Sequence, residues 1–442
     1  MKFSKGLAVC LSLVSAAGAW ATLSLQYLEA SGPGYPLTQE QLYAQRDQED
    51  TVAMRRHGWD IWAAITRSDH QGFPAFLTWY QVNEVFQDAT LQQPRQFRPT
   101  FNHPVQKTLG LGDAILSFNT YNQPMFDHIR KHRYQRRDTL KAMVGREPKV
   151  KNFPDTAIMV KTVWWPVRRD GLTAFPVWDD QPQRPVEWGR GIADRVKRGD
   201  FPQLTAEAQA ELTSHELHGN DFETFNRLVA IDPSSPLPVG PSPNLPFFDL
   251  KDLSFSLRTP RPTQRVALND FFHFTLTDPK QVDDLNTLPD LADLTVRNWG
   301  RPLQKGDHLA LIAAHVSTRE TDDWVWATYW WHDKPGGVAG SDRLDSVQGL
   351  WRHFRMRVAY HGEIPREPDG APAIAYNPYL EAGFSEGPRS NCVSCHQRAV
   401  LLPSGKMGPV FPLPKGQLQP DDDYFQGKLQ LDLVWSLGTR TQ

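Results

Sequence analysis

Two stretches decide the fold class of this chain: Asp307-His-Leu-Ala-Leu-Ile-Ala-Ala-His-Val-Ser-Thr318 and, shortly after it, Asp323-Trp-Val-Trp-Ala-Thr-Tyr-Trp-Trp-His332. Both read as strands, the second dense in the aromatic side chains that suit a pleated surface. A period of two places Leu309, Leu311, Ala313 and His315 on one face of the first, and Trp324, Trp326, Trp330 and His332 on one face of the second. The charged turn Gln304-Lys-Gly-Asp307 leads into the pair, and Arg265–Leu276 and His353–Tyr360 supply further strand candidates. The expectation is an antiparallel, sandwich-like sheet with one face rich in tryptophan.

Upstream, Ala157–Pro166 and Thr173–Trp178 read as two strands joined by the turn Arg168-Arg-Asp-Gly171. Before them the period changes to that of a helix. Glu49 and Asp50 open a pattern that runs to about Ser68, with Val52, Trp59, Trp62 and Ile65 or Thr66 in register, and acids at its start suit the helix dipole. The aromatic segment 72–87 starts extended and finishes helical; its rings are plain core or the lining of a cofactor site. Residues 125–145 form a second helical candidate carrying His128, Arg130, Lys131, His132, Arg133, Arg136 and Arg137, which read as a solvated face or as a docking patch for an acidic redox partner. Residues 201–230 are expected to be helical, and residues 232–246 hold six prolines.

The fold class expected is α+β, an antiparallel β-sandwich-like core with peripheral helices and a short C-terminal segment. The divisions are 1–21 as a signal peptide, 22–231 as a helix-plus-strand region, 232–264 as a Pro-rich linker or surface crossing, 265–384 as a Trp-rich β region, and 385–442, which contains Cys392-Val-Ser-Cys-His396, as a haem c attachment segment.

Lys2 and Lys5, the apolar run Leu7–Ala19, and the small residues Ala17-x-Ala19 or Ala19-x-Ala21 have the parts of a cleavable export signal. The run is shorter than the ~20 residues a spanning helix needs, so export to the periplasm is expected, with an uncleaved anchor as the alternative. No later segment reads as a membrane span. The net charge of -2 gives no reason to expect nucleic acid as a partner.

Cys10 falls within the signal, which leaves two cysteines in the mature chain, and both lie in Asn391-Cys-Val-Ser-Cys-His396. Cys-x-x-Cys-His is the pattern for covalent attachment of a c-type haem. Cys392 and Cys395 are the expected thioether anchors and His396 the proximal iron ligand. A Cys-x-x-Cys redox pair would need a βαβ context, which does not precede it, and a structural zinc would need distant histidines to complete four ligands.

For the distal position the candidates are Met407, eleven residues beyond His396 in Ser404-Gly-Lys-Met-Gly-Pro409, and His315 or His332 from the sheet. An open position is the remaining alternative. Met/His ligation raises the reduction potential, whereas bis-His ligation gives a lower one. No Gly-x-Ser-x-Gly, His-Glu-x-x-His or phosphate loop is present. The expected function is electron transfer by one covalent haem c with a redox partner protein. The alternative is a haem-dependent, peroxidase-like oxidoreductase or a small-ligand sensor, and a third reading is a binding module in which haem is a structural staple.

The Trp-rich helix at 56–66, Ile158-Met-Val-Lys-Thr-Val-Trp164, the block from His308 to His332 and Asn391–His396 resemble a family of exported bacterial proteins described as cytochrome c family proteins. The resemblance touches both ends of the mature chain. It implies an exported single-haem protein with a large non-haem scaffold, and it extends to Cys392, Cys395 and His396 as haem anchors and proximal ligand.

Overall fold

The structure is a computed structural model that describes residues 24–87, 95–96, 116–179, 227–238, 245, 263–377, 379–381, 391–408 and 416–441. The proposed signal peptide, residues 201–226 and most of the Pro-rich stretch 232–264 lie outside the described residues.

In chain order, β1 (Ser24–Leu25) precedes α1 (Gln39–Asp47) and α2 (Thr51–Thr66), then β2 (Tyr80–Gln81), α3 (Val82–Phe86), β3 (Arg95–Gln96) and β4 (Leu116–Tyr121). Next come α4 (Gln123–Lys131), α5 (Arg137–Met143), β5 (Ile158–Val167), β6 (Thr173–Val177), β7 (Arg227–Asp232), β8 (Thr263–Ala267) and β9 (His273–Thr275). Helices α6 (Pro279–Asn286) and α7 (Pro289–Trp299) lead to β10 (His308–Thr318), β11 (Val325–Trp331) and β12 (Phe354–Ala359). The C-terminal part holds α8 (Cys392–His396), β13 (Val400–Leu401), β14 (Leu429–Gln430) and α9 (Trp435–Thr439).

The fold is α+β with a sandwich-like antiparallel core. Its main sheet has seven strands in the order β12-β11-β10-β5-β4-β2, with β9 also paired to β10, and every pairing is antiparallel. Strands from both sides of the Pro-rich stretch therefore share one sheet. A second sheet, β6-β7-β8, pairs β6 with β7 antiparallel and β7 with β8 in parallel.

Some sequence expectations need correction. Strands β5 and β6 follow each other through the Arg168–Gly171 turn but do not pair, since β5 joins β4 and β10 while β6 joins β7. Residues 227–230, expected to be helical, belong to strand β7. The helix expected over 125–145 is two helices, broken where Arg133 takes a left-handed backbone conformation (φ 58°).

Helix α2 forms because Asp50 caps it, its carboxylate accepting the Ala53 N–H at 2.9 Å. The helix is buried almost all round, with Trp59, Trp62 and Ile65 inside as their spacing implies and Val52 left outside, 78% exposed. Gly58 lets the helix come close to the sheet, because a Cβ there would meet Met356 Cε at 2.9 Å. On this side Trp62 stacks on Tyr329, with centroids 4.2 Å apart, and the Tyr329 hydroxyl donates to the Gly58 carbonyl.

All of β11 is buried, so the sheet is covered on both faces. Trp326 and Trp330 alternate with Tyr329 and Trp331, and aromatic residues therefore fill both sides rather than one. The expected common face of β10 is also broken. The register against β5 shifts between Leu311 and Ala313, so Leu309 and Leu311 align with Pro166 and Trp164, whereas Ala313 and His315 align with Val163 and Lys161. Neighbouring β5 residues point to opposite faces, so the bulge divides the four side chains between the two sides of the sheet.

Candidate functional site

The Cys-x-x-Cys-His segment folds as the short helix α8, capped by Asn391. Asn391 Oδ1 accepts the Ser394 N–H at 3.1 Å, and Nδ2 donates to the His361 and Gly362 carbonyls at 3.0 and 3.2 Å. One side chain thus starts the helix and ties it to the chain just beyond β12. Neither Cys392 nor Cys395 is in a disulfide. The Cys392 Sγ–H donates to the Ala375 carbonyl at 3.8 Å, and burial pushes this thiol well above its usual range, with Glu381 adding to the effect.

His396 is held on two sides. Its Nδ1–H donates to the Leu433 carbonyl at 2.9 Å, and its ring lies against Trp326 with centroids 4.0 Å apart. A proton fixed on Nδ1 leaves the lone pair on Nε2, which is the tautomer a metal-binding imidazole needs. Burial pushes its pKa down to about 4 despite that hydrogen bond, so the ring is neutral at ordinary pH.

The carbonyl that orients His396 comes from an unusual turn. Asp432 and Leu433 are consecutive non-glycine residues with φ of 49° and 64°. The buried Asp432 carboxylate holds them there: Oδ2 accepts the Phe153 N–H at 3.0 Å and Arg319 Nε–H at 3.3 Å, and Oδ1 is ion-paired with Lys149 Nζ at 2.7 Å. Strained backbone clamped by several partners is what a positioned functional group requires.

Across from α8 lies the face of the sheet that the β10 bulge turns toward it. Asn119, Lys161, His315 and Thr328 are successive cross-strand partners on β4, β5, β10 and β11, so they share this face with Trp326. His315 Nε2 is buried and has no hydrogen-bond partner. Burial drives its imidazole well below the usual range, and the charges of Lys161 and His396 push it further the same way, which places all three groups in one neighbourhood. Lys161 is likewise lowered by burial, opposed by Glu381. Burial raises Glu381 to about 8, although its carboxylate accepts the Asn377 N–H at 2.5 Å.

Of the residues singled out from sequence, Cys392, Cys395, His396 and His315 come together. Met407 bridges back to Leu401, and its sulfur packs against Gly438 on α9. His332 sits six residues along β11 from Trp326, about 20 Å away at the rise of an extended strand. Both its ring nitrogens are engaged, Nε2 with Asp179 at 3.0 Å and Nδ1 with the Lys334 N–H at 2.8 Å. Sequence reasoning missed Leu433, Asp432 and Lys161. Of these only Lys161, a charge inside an otherwise apolar strand, carries a signal in the sequence.

The donor set suits a c-type haem: two thiols on one helical turn that are not joined in a disulfide, an imidazole whose lone pair lies on Nε2, and a second imidazole nitrogen left unpartnered on the facing sheet. No group of three or more His, Cys, Asp or Glu placed to hold a bare metal ion occurs among the described residues. No helix among them is long and apolar enough to cross a membrane. Comparison with family models, with curated proteins and with solved structures finds no match to this chain.

Proposed function

We propose that this chain is an exported, periplasmic c-type cytochrome that carries one covalent haem on Cys392 and Cys395, that His396 and His315 would ligate its iron, and that it transfers electrons to and from a redox partner protein. The observation that carries this reading is the buried, unpartnered Nε2 of His315 on the sheet face opposite the Cys-x-x-Cys-His helix. A buried polar atom without a partner costs about 1–3 kcal/mol, and axial ligation would remove that cost. Bound haem would supply a reversible one-electron couple, with bis-His ligation setting a lower potential than Met/His.

The protein's own part in this reading is positional. The Leu433 carbonyl keeps the proton of His396 on Nδ1, and the Asp432 clamp holds that carbonyl in place. Trp326 restrains the ring from the side. Burial keeps both imidazoles neutral, which is the form that ligates iron. A haem-dependent oxidoreductase or small-ligand sensor would require the position opposite His396 to be open, and His315 argues against that.

Absorption spectroscopy of the chain matured with haem tests the reading. The expected ferrous form is low-spin, six-coordinate and unreactive to carbon monoxide, whereas His315→Ala should turn high-spin and bind it. A wild-type ferrous form that takes up carbon monoxide would overturn the His315 assignment and the electron-carrier reading. A purified chain without covalent haem would overturn the cytochrome reading itself.

A further inference from the structure

A continuous file of rings leads away from His396. Its ring meets Trp326 at 4.0 Å between centroids, Trp326 meets Trp324 at 6.2 Å, and Trp324 meets Phe153 at 5.8 Å. Phe153 meets His128 at 4.5 Å, and His128 meets His132 at 4.6 Å. Trp324 is completely buried, whereas His132 at the C-terminal end of α4 retains exposed surface. The file therefore runs from the candidate site to the protein surface.

It emerges in the most basic part of the chain. Residues 127–151 hold nine Lys or Arg against three Asp or Glu, in a protein whose net charge is -2. Lys131, Arg133 and Lys151 are exposed there. The charges of Lys151 and Lys131 both act on His132, so these two lysines flank the ring at the end of the file. The acids of this segment, Asp127, Asp138 and Glu147, together with Asp432 paired to Lys149, are too few to neutralise it. A local excess of positive charge on a nearly neutral protein steers an anionic partner to one place.

We propose that the surface around Lys131, His132, Arg133 and Lys151 is the docking site of an acidic one-electron carrier protein, joined to His396 by the rings of His128, Phe153, Trp324 and Trp326. The assignment rests on the cytochrome reading. In the exchange one electron crosses between the partner's centre and the centre held at His396, one being oxidised as the other is reduced, and no bond forms or breaks.

The test uses hexacyanochromate(III), a paramagnetic trianion that does not exchange electrons under these conditions, as a stand-in for the acidic face of the partner. Added to the full chain, it should broaden backbone amide resonances around residues 131–133 and 151, and high salt should abolish the effect. The triple variant Lys131→Glu, Arg133→Glu, Lys151→Glu should lose this broadening, with an unchanged circular dichroism spectrum. Its oxidation from the reduced state by hexacyanoferrate(III) should slow about ten-fold.

Phe153→Leu should leave the broadening in place and slow that oxidation several-fold. Broadening centred elsewhere, or persisting in the triple variant, overturns the docking site. An unchanged rate in Phe153→Leu overturns the ring path. The broadening is read whether or not haem is attached, and the absorption spectrum reports the haem separately, so failure of this proposal and failure of the cytochrome reading are distinguishable.

Discussion

A single added methyl group separates the two candidates for the second iron ligand. Gly438 lies in α9 against the sulfur of Met407, and a Cβ at that position would fall 1.7 Å from Met407 Sδ, 2.7 Å from its Cε and 3.2 Å from Leu431 Cδ1. Ordinary contact is about 3.5–4.0 Å, so in Gly438→Ala the sulfur must retreat by about 2 Å. A methionine side chain can do this by changing rotamers, and the strain belongs at the low end of the ~1–3 kcal/mol typical of overpacking. Alanine recovers up to ~1 kcal/mol over glycine as a helix former. The net loss expected is under ~1 kcal/mol, read as a slightly lower urea midpoint at an unchanged slope. With His315 as the ligand, the visible and near-infrared spectra of Gly438→Ala should match the wild type. A sulfur-to-iron charge-transfer band present in the wild type and lost in this variant would show Met407 on the iron and refute the reasoning. A clear gain in stability would show that the sulfur does not pack against Gly438 as described.

Two further substitutions test the scaffold. Asp307, fully buried at the entry to β10, accepts from both terminal nitrogens of Arg301 (2.6 and 2.8 Å) and from the N–H groups of Arg169 (3.0 Å) and Gln304 (2.8 Å). Burial pushes its carboxyl upward, but these donors outweigh it and hold the pKa below the usual carboxylate value. Its stabilisation is therefore complete above the unfolded-state pKa of ~4 and is lost as pH falls through the lower folded value. Asp307→Asn should cost about 3 kcal/mol at neutral pH and flatten the acid limb of the stability curve below ~pH 4. Equal losses at neutral pH and at low pH in chemical unfolding would contradict this. Trp62→Ala removes the stack on Tyr329 and the contacts with Trp351 at 5.6 Å and Phe354 at 4.9 Å, and should cost about 4 kcal/mol. A loss under ~1 kcal/mol would mean that α2 is not docked on the sheet in this way.

The strand content was legible because β12 and the start of β5 alternate in step with burial, while the rest of β5, β10 and β11 are nearly continuous apolar runs buried on both faces. Asp50 marked the start of α2 for the physical reason that a carboxylate there satisfies an orphan N–H. Pairing was less legible. The turn at Arg168–Gly171 is short enough for a hairpin, yet β5 is claimed on both edges by β4 and β10, which leaves β6 to pair elsewhere. Helices α6 and α7 escaped notice, although prolines stand at their first positions, where the missing N–H costs nothing. Within the site, the chemistry-bearing triplet of Cys392, Cys395 and His396 could be read locally. The Asp432–Leu433 turn could not, because its role depends on contacts from Lys149, Phe153 and Arg319, which are distant in sequence.

The position of His315 shows how little separates a core histidine from a ligand candidate. In an unbulged β10 it would share a face with Leu309 and Leu311, which align with Pro166 and Trp164. Trp164 stacks on Phe118 at 5.6 Å, and Phe118 pairs with Thr162, on the same side of the sheet as Tyr329 and helix α2. The one-residue shift between Leu311 and Ala313 moves His315 to the opposite side, across from Lys161 and Thr328 and beside Trp326, where α8 packs. Bulges recur beside functional sites because they re-aim a side chain without disturbing the strands around it. The same sheet thus meets α2 with an aromatic face on which the Tyr329 hydroxyl is paired, and meets the Cys-x-x-Cys-His helix with a face on which the buried Nε2 of His315 has no partner. An imidazole nitrogen that the bulge carries to the side of His396, and that stays buried there without a partner, is the strongest physical reason to expect something bound between His315 and His396.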